Sequence, residues 1–268
     1  MDSFKEYQFE VIFVDDGSRD NTINELLKAR KKDKRIKIIE MSKNNGCDES
    51  IFAGLKFAKG DAAIIMMADL QEPPELIPQF TEKWQMGYDI VYGIVKKRIN
   101  YPLHRKIGTY IFYKLISYLT NHIVPENVSD FRLLDKKVYL TLADLPEHNK
   151  FFRGLAMWPG YKRVGIPFER PDRIAGKSKA NISLTFRVAI NGILGFSNLP
   201  LRLPWLLFLF TIIVTLFSTF LFSIQQTILF LFFSFFFLIN AIQSEYILRI
   251  FIENRNRPNY IVKKLYGL

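Results

Sequence analysis

Two acidic clusters offer the first chemistry in this sequence. Asp15, Asp16, Gly17 and Ser18 follow directly on the β-rich run EVIFV at residues 10–14. Asp69, Leu70 and Gln71 follow directly on the apolar run AAIIMMA at residues 62–68. Carboxylates and amide carbonyls are hard oxygen donors. Magnesium or manganese takes one or two such carboxylates together with the phosphates of a substrate. Two acidic clusters at strand ends therefore suit a metal held against a diphosphate. The carboxylate of Asp69 and the carbonyl of Gln71 point the same way provided the backbone stays extended between them. Plainer readings stand beside these: Asp69 and Gln71 begin a turn ahead of Pro73, and residues 15–18 form a helix-capping turn.

The elements that must position these clusters alternate. After the strand at 10–14, Asp20 or Thr22 caps a helix over residues 21–32, and RIKIIE (35–40) reads as a second strand. A helix over 49–58 ends at Gly60. The run at 62–68 has no polar alternation, as expected in the middle of a parallel sheet. Pro73 and Pro74 open a further helix, and DIVYGIV (89–95) is another strand. This order predicts a layered α/β domain with a largely parallel sheet, in which ligands bind at the carboxyl ends of strands. Both acidic clusters fall at such ends.

Several classes drop out. The chain has no G-x-G-x-x-G, no G-x-x-x-x-G-K-[ST] and no G-x-S-x-G, which removes the dinucleotide fingerprint, the P-loop and the nucleophile elbow. Its single cysteine, Cys47, allows no disulfide framework, and His104, His122 and His148 are not spaced as a zinc pair. The 268 residues carry 37 Lys and Arg against 26 Asp and Glu, a net charge of +11. That charge invites a nucleic-acid reading. The acidic strand ends and the apolar block described next argue against it, and no nucleic-acid partner is expected.

No charged residue occurs from Leu203 to Ser244. A bilayer-spanning helix needs about 20 apolar residues. Residues 203–224 supply one span and 227–248 a second, separated by Gln225 and Gln226. Arg202 precedes the pair and a basic tail, 249–268, follows it, so the positive-inside rule places both termini in the cytoplasm. Residues 1–10 are polar and are not a signal peptide. Residues 178–200 have helical apolar spacing and read as an amphipathic juxtamembrane helix. The basic residues just upstream, Arg170, Arg173, Lys177 and Lys179, suit either anionic headgroups or a specific phosphate. Residues 101–121 read as an aromatic amphipathic helix, and the small residues at 192–195 suit contact with a second subunit.

Five motifs occur in order ahead of the hairpin: FVDDGSRDNT (13–22), ADLQEPPELI (68–77), VSDFRLLDKKV (128–138), FFRGL (151–155) and AGKSK (175–179). Together they resemble the family-2 glycosyltransferases that load a sugar onto a polyprenyl phosphate. The likeness is close to the bactoprenol glucosyltransferase type and more distant to dolichol-phosphate mannose synthase. It implies a GT-A fold in a cytoplasmic domain over residues 1–177, a UDP-sugar donor, undecaprenyl phosphate as acceptor, and inversion at the transferred sugar. It places the protein in the bacterial cell membrane, supplying a lipid-linked sugar for surface polysaccharide.

By the same resemblance Asp15, Asp16, Gly17, Ser18, Gly46 and Asp69 hold the nucleotide-sugar. Asp69 and Gln71 hold Mg2+ or Mn2+, and Asp130 is the catalytic carboxylate. Arg132, Arg153, Arg173, Lys177 and Ser178 contact the acceptor phosphate. Read without the family, residues 130–132 are an ion pair at a strand start. The family pattern also has a strand with a P-x-Y-N-E-like motif ahead of the position of Met1. Met67, Cys47, Asn45 and Ala180 replace residue types common in the family. The rival readings are a membrane-anchored scaffold without catalysis and a processive synthase. The latter lacks Q-x-x-R-W here and would have few spans.

Overall fold

The structure, a computed structural model, describes residues 7–98, 114, 125, 127–147, 150–171, 209–210, 225–255 and 257–268. The chain divides into two compact units, Met1–Gly192 with Pro258–Leu268, and Ile193–Arg257.

The first unit opens with a β-α-β arrangement. β1 (Val11–Asp15) leads through α1 (Thr22–Lys32) to β2 (Ile36–Met41). The strands pair in parallel, Val11 opposite Ile36 and Asp15 opposite Glu40. α1 starts where the Asp20 carboxylate accepts the Thr22 N–H and stops at Asp33, whose backbone is extended. Next come α2 (Cys47–Phe57), β3 (Ala62–Ile65), a 3-10 turn over Pro74–Leu76, α3 (Ile77–Gln85) and β4 (Ile90–Arg98). Beyond them lie β5 (Val128–Asp135), α4 (Lys136–Ala143), α5 (Phe152–Leu155) and β6 (Arg163–Arg170). The last element is β7 (Val262–Tyr266).

Among the described residues two sheets form, β1-β2-β7 and β3-β5-β4-β6. They are mixed rather than largely parallel. β1–β2 and β4–β6 are parallel, while β2–β7, β3–β5 and β4–β5 run antiparallel. The β-α-β pattern forecasts parallel neighbours only where a helix returns the chain. β5 and β7 enter their sheets from distant segments and in the opposite sense. β3 is shorter than the apolar run, because beyond Ile65 the Met67 N–H turns to the Glu72 carboxylate.

β5 is the spine of the second sheet, with every residue from Val128 to Leu134 buried. Phe131 and Leu133 face Phe80 of α3, Val91 of β4 and Ile166 of β6 in one core. The Phe80 and Phe131 rings lie 4.6 Å apart. Asp135 ends β5 and caps α4 by accepting the Lys137 N–H, and its other oxygen accepts the Trp84 indole N–H at 2.8 Å.

Residues 249–268 were expected as a basic tail. Five of them instead form β7, antiparallel to β2 with Ile38 opposite Tyr266. Glu40 of β2 holds this strand by pairing with Lys263 and accepting the Tyr266 hydroxyl. Five residues, VKKLY, with two adjacent lysines and no alternation, give little strand signal in sequence.

The second unit contains α6 (Gln225–Asn254), a 30-residue helix rich in exposed phenylalanine and leucine. Its stretch Phe235–Ile252 is long and apolar enough to cross a membrane. The span expected at 203–224 and the helices expected at 101–121 and 178–200 lie outside the described residues, apart from Lys114, Leu209 and Phe210.

Candidate active site

Asp15 and Asp16 leave β1 into a turn that the loop before α2 closes. Asp15 is buried and accepts the Ser18 N–H at 3.1 Å. Asp16 accepts the Asn45 N–H at 2.7 Å with one oxygen and the Gly46 N–H at 2.9 Å with the other. Gly17 has φ +68°, and a Cβ there would stand 2.6 Å from the Lys43 carbonyl carbon. The Asp15–Ser18 turn and the loop ahead of α2 are thus one clamped unit, and glycine is required at its point of closest approach.

α2 then carries the loop to the end of β3. The Cys47 sulfur lies 3.6 Å from that of Met67. Two residues on, Asp69 closes a turn by accepting the Gln71 N–H at 3.2 Å, with Leu70 at φ +58°. The backbone is therefore not extended between Asp69 and Gln71, and the common direction expected from an extended strand is not how the two are placed. Gln71 is anchored by its side-chain N–H to the Pro171 carbonyl. Among the described residues no three His, Cys, Asp or Glu side chains cluster as a metal site. One carboxylate and one amide oxygen fit an ion that draws its remaining ligands from phosphates and water.

The third part rests on β5. Asp130 is gripped by Arg153 through two bonds, Nε to Oδ1 at 2.8 Å and Nη2 to Oδ2 at 2.6 Å. Burial raises the Asp130 pKa, but the charge and hydrogen bonds of Arg153, with Arg132 and Arg170 behind, outweigh it and hold the carboxyl below its usual range. Arg132 is fully buried, donates to the Ser129 carbonyl at 2.8 Å and lies over the Phe152 ring at 4.6 Å. Among the described residues its Nε and Nη1 find no partner.

Glu72 ties the clusters together. It is buried and accepts the Met67 N–H at 2.9 Å, the Ser129 hydroxyl at 2.8 Å and Arg170 at 3.0 Å. Arg170 also reaches the Ser129 hydroxyl, while its Nε is buried and finds no partner among the described residues. Burial raises the Glu72 pKa.

The structure therefore joins Asp16, Gly46, the end of β3, Asp130, Arg132 and Arg153 through a continuous set of contacts. Arg173, Lys177 and Ser178 lie outside the described residues. Glu72, Ser129 and the inward role of Arg170 were missed. Nothing in the spacing of Glu72 marks it, whereas Arg170 ends the alternating strand RVGIPFER and Ser129 adjoins Asp130. Buried guanidinium N–H groups without partners have lost their hydration. An oxygen acceptor such as an oxyanion, a carbonyl or a water satisfies them. Chemically the arrangement gathers three guanidinium groups, Arg132, Arg153 and Arg170, around the carboxylates of Asp130 and Glu72.

Residues 1–142 match the family model described as glycosyl transferase family 2. The chain is a family 2 glycosyltransferase. An uncharacterized glycosyltransferase of Bacillus subtilis (strain 168) is 38% identical to it over 282 residues, covering 100% of this chain and 87% of the relative. The SfII prophage-derived bactoprenol glucosyl transferase of Shigella flexneri is 36% identical, covering 97% and 89%. A prophage bactoprenol glucosyl transferase homolog of Escherichia coli (strain K12) is 35% identical, covering 99% and 91%. In this glycosyltransferase the family match ends inside α4, so Arg153 and Arg170 lie beyond it. The relatives just named extend over them.

Proposed function

We propose that this glycosyltransferase moves a sugar from a UDP-sugar to undecaprenyl phosphate at the cytoplasmic face of a bacterial cell membrane, with inversion, to supply a lipid-linked sugar for surface polysaccharide. The observation that carries this reading is the buried, partly unpartnered Arg132 beside the Asp130–Arg153 pair. It offers a phosphate oxyanion a dry, cationic seat. The bactoprenol relatives give the acceptor its class.

Asp15, Asp16, Gly17, Ser18 and Gly46 bind the nucleotide end of the donor, with Asp69 at its diphosphate. Asp69 and Gln71 hold Mg2+ or Mn2+, which when bound offsets charge on the departing diphosphate. Arg132 and Arg153, joined by Arg173, Lys177 and Ser178, receive the acceptor phosphate. A phosphate oxygen of the acceptor attacks the anomeric carbon, and the bond from that carbon to UDP breaks. The second pKa of a phosphate monoester is about 6, so the nucleophile needs little help from a base. Asp130, kept anionic by Arg153, serves to orient that arginine.

The fold also supports a hairpin in the membrane. β6 and β7 belong to one unit, which the chain leaves after Gly192 and re-enters at Pro258. A segment that starts and ends on one side crosses a bilayer an even number of times. With α6 as one crossing, both ends of the chain lie on one side, which the basic flanks at Arg202 and 249–268 make the cytoplasmic one.

The test is incubation of detergent-purified protein with undecaprenyl phosphate, Mg2+ or Mn2+ and labelled UDP-sugars. Label should enter the lipid phase with one sugar and be lost in Asp69→Asn and Asp130→Asn. A folded protein that labels no lipid with any sugar refutes the proposal.

A further inference from the structure

Residues 259–262 form a short strap that no motif and no step of the reaction accounts for. The strap begins just after Pro258, where the chain re-enters the first unit from α6. One end carries the pairing of β7 with β2 past a bulge. Val262 stands opposite Met41, and the Ser42 N–H donates to the Ile261 carbonyl at 2.9 Å. The other end reaches α2. The side-chain amide of half-buried Asn259 donates to the Glu49 carboxylate at 3.2 Å and to the Glu147 carbonyl at 2.9 Å. Glu49 lies in the first turn of α2.

The strap thus grips both ends of the loop that runs from β2 into α2. The contacts that clamp the Asp15–Ser18 turn lie between those two grips. Lys43 and Asn44 are what a Cβ at Gly17 would strike, and the Asn45 and Gly46 N–H groups are the ones that hold Asp16. Other bonds tighten the loop on itself: the Asn45 side chain donates to the Lys43 carbonyl at 2.8 Å, and the Ser50 hydroxyl to the Gly46 carbonyl at 3.1 Å. Such local bonds move with the loop. α2 is anchored by the buried Ile51, Phe52, Ala53 and Leu55, but no residue of its first turn is buried. A helix start without buried side chains is held in place by its polar contacts, and Asn259 supplies one from outside the helix.

We propose, on the nucleotide seat assigned above, that Asn259 is a positioning residue for the donor: together with the Ser42–Ile261 bond it holds the loop so that Asn45 and Gly46 fix the Asp16 carboxylate for the nucleoside diphosphate. Asn259 touches no substrate and acts through Glu49. Donor affinity therefore depends on a residue five positions beyond Asn254, the end of α6. The Glu147 carbonyl lies on the approach to α5, so the acceptor side serves as the internal comparison.

The experiment uses the full-length protein in detergent with UDP and Mn2+ as probe. Calorimetric titration gives the UDP affinity, hydrogen exchange reads the amides of residues 43–48, and KM is measured for UDP-glucose and for a short polyprenyl phosphate. Loss of one hydrogen bond to a carboxylate in Asn259→Ala should speed exchange in this loop and weaken UDP about fivefold, with the acceptor KM changed less than about twofold. Asn259→Asp sets two carboxylates against each other and should lose at least as much. Adding Glu49→Gln restores a donor–acceptor pair of reversed polarity and should recover most of the UDP affinity. A merely structural role would not give that recovery, and it would shift donor and acceptor alike. Asp16→Asn is the control for the seat itself. If it weakens UDP while a folded Asn259→Ala changes neither exchange nor UDP affinity, the brace is overturned and the seat stands. Faster exchange with unchanged UDP affinity, or equal losses for donor and acceptor, overturns the positioning role. UDP binding that is absent, or unaffected by Asp16→Asn, removes the seat and this inference with it.

Discussion

The Asp130–Arg153 pair permits a quantitative test of how the pocket is built. Arg153→Ala leaves Asp130, only 9% exposed, without the partner that takes both its oxygens. Breaking a fully buried pair by removing one member costs about 3–5 kcal/mol, most of it from the stranded charge. Here the side chains of Arg153 and Asp130 keep 26% and 12% of their exposure, and Arg132 and Arg170 act on the same carboxylate. A coupling at the lower end, about 2–3 kcal/mol, is therefore expected.

A double-mutant cycle isolates it: parent, Arg153→Ala, Asp130→Asn and both together, followed by thermal unfolding in detergent. At about 2–4 °C per kcal/mol for a domain of this size, the double variant should be more stable than additivity allows by roughly 5–10 °C. The pH dependence has a fixed sign. The Asp130 pKa is depressed in the fold, so the pair's contribution is present above the ordinary carboxylate range and is lost as pH falls through the lowered value. The penalty of Arg153→Ala should shrink on acidification. Additivity within about 0.5 kcal/mol would show that the pair does not hold this corner, and the argument for an oriented Arg153 would go with it.

Gly17→Ala forces a side chain into the left-handed region and against Lys43; a loss of at least about 1–2 kcal/mol is expected. Weaker UDP binding should accompany it, since the clamped turn is the proposed nucleotide seat; unchanged stability and affinity by calorimetry would contradict the clamp. For β7, the lowered Glu40 pKa, owed first to Lys263, means that this anchor is intact above about pH 4.5 and is lost as pH falls through the depressed value. Amide hydrogen exchange along residues 262–266 should accelerate in that acid window relative to β5, and a Glu40→Gln variant should show the faster exchange at neutral pH as well.

The early half of the first unit was legible because each signal was local. The Asp20 cap of α1 and the Pro74 start each act within a turn or two of chain, and those elements fall within one or two residues of where the sequence puts them. The mixed sheet was not legible. β5 is buried on both faces, so its eight residues show no alternation, and its antiparallel sense is set by neighbours far away in sequence. The site divides in the same way. Asp15, Asp16, Asp69 and Asp130 stand in compact motifs. Glu72 and Arg170 are 98 positions apart and meet only because β6 lies beside β4, with β5 on the other side of β4. Asp69 and Gln71 were seen as residues, but not the turn between them. The sequence carries no sign that Leu70 takes a positive φ.

The return of the chain to β2 has a practical consequence. The catalytic unit is interrupted in sequence by some sixty residues of the second unit, so no single cut releases it whole. A fragment ended after β6 would leave β2 as a bare edge, with its outward N–H and C=O groups ready to pair with another chain. Supplying residues 258–268 as a separate peptide, or splicing them after β6 through a short flexible linker, should refill that edge. Occupancy of the edge would then be under the experimenter's control.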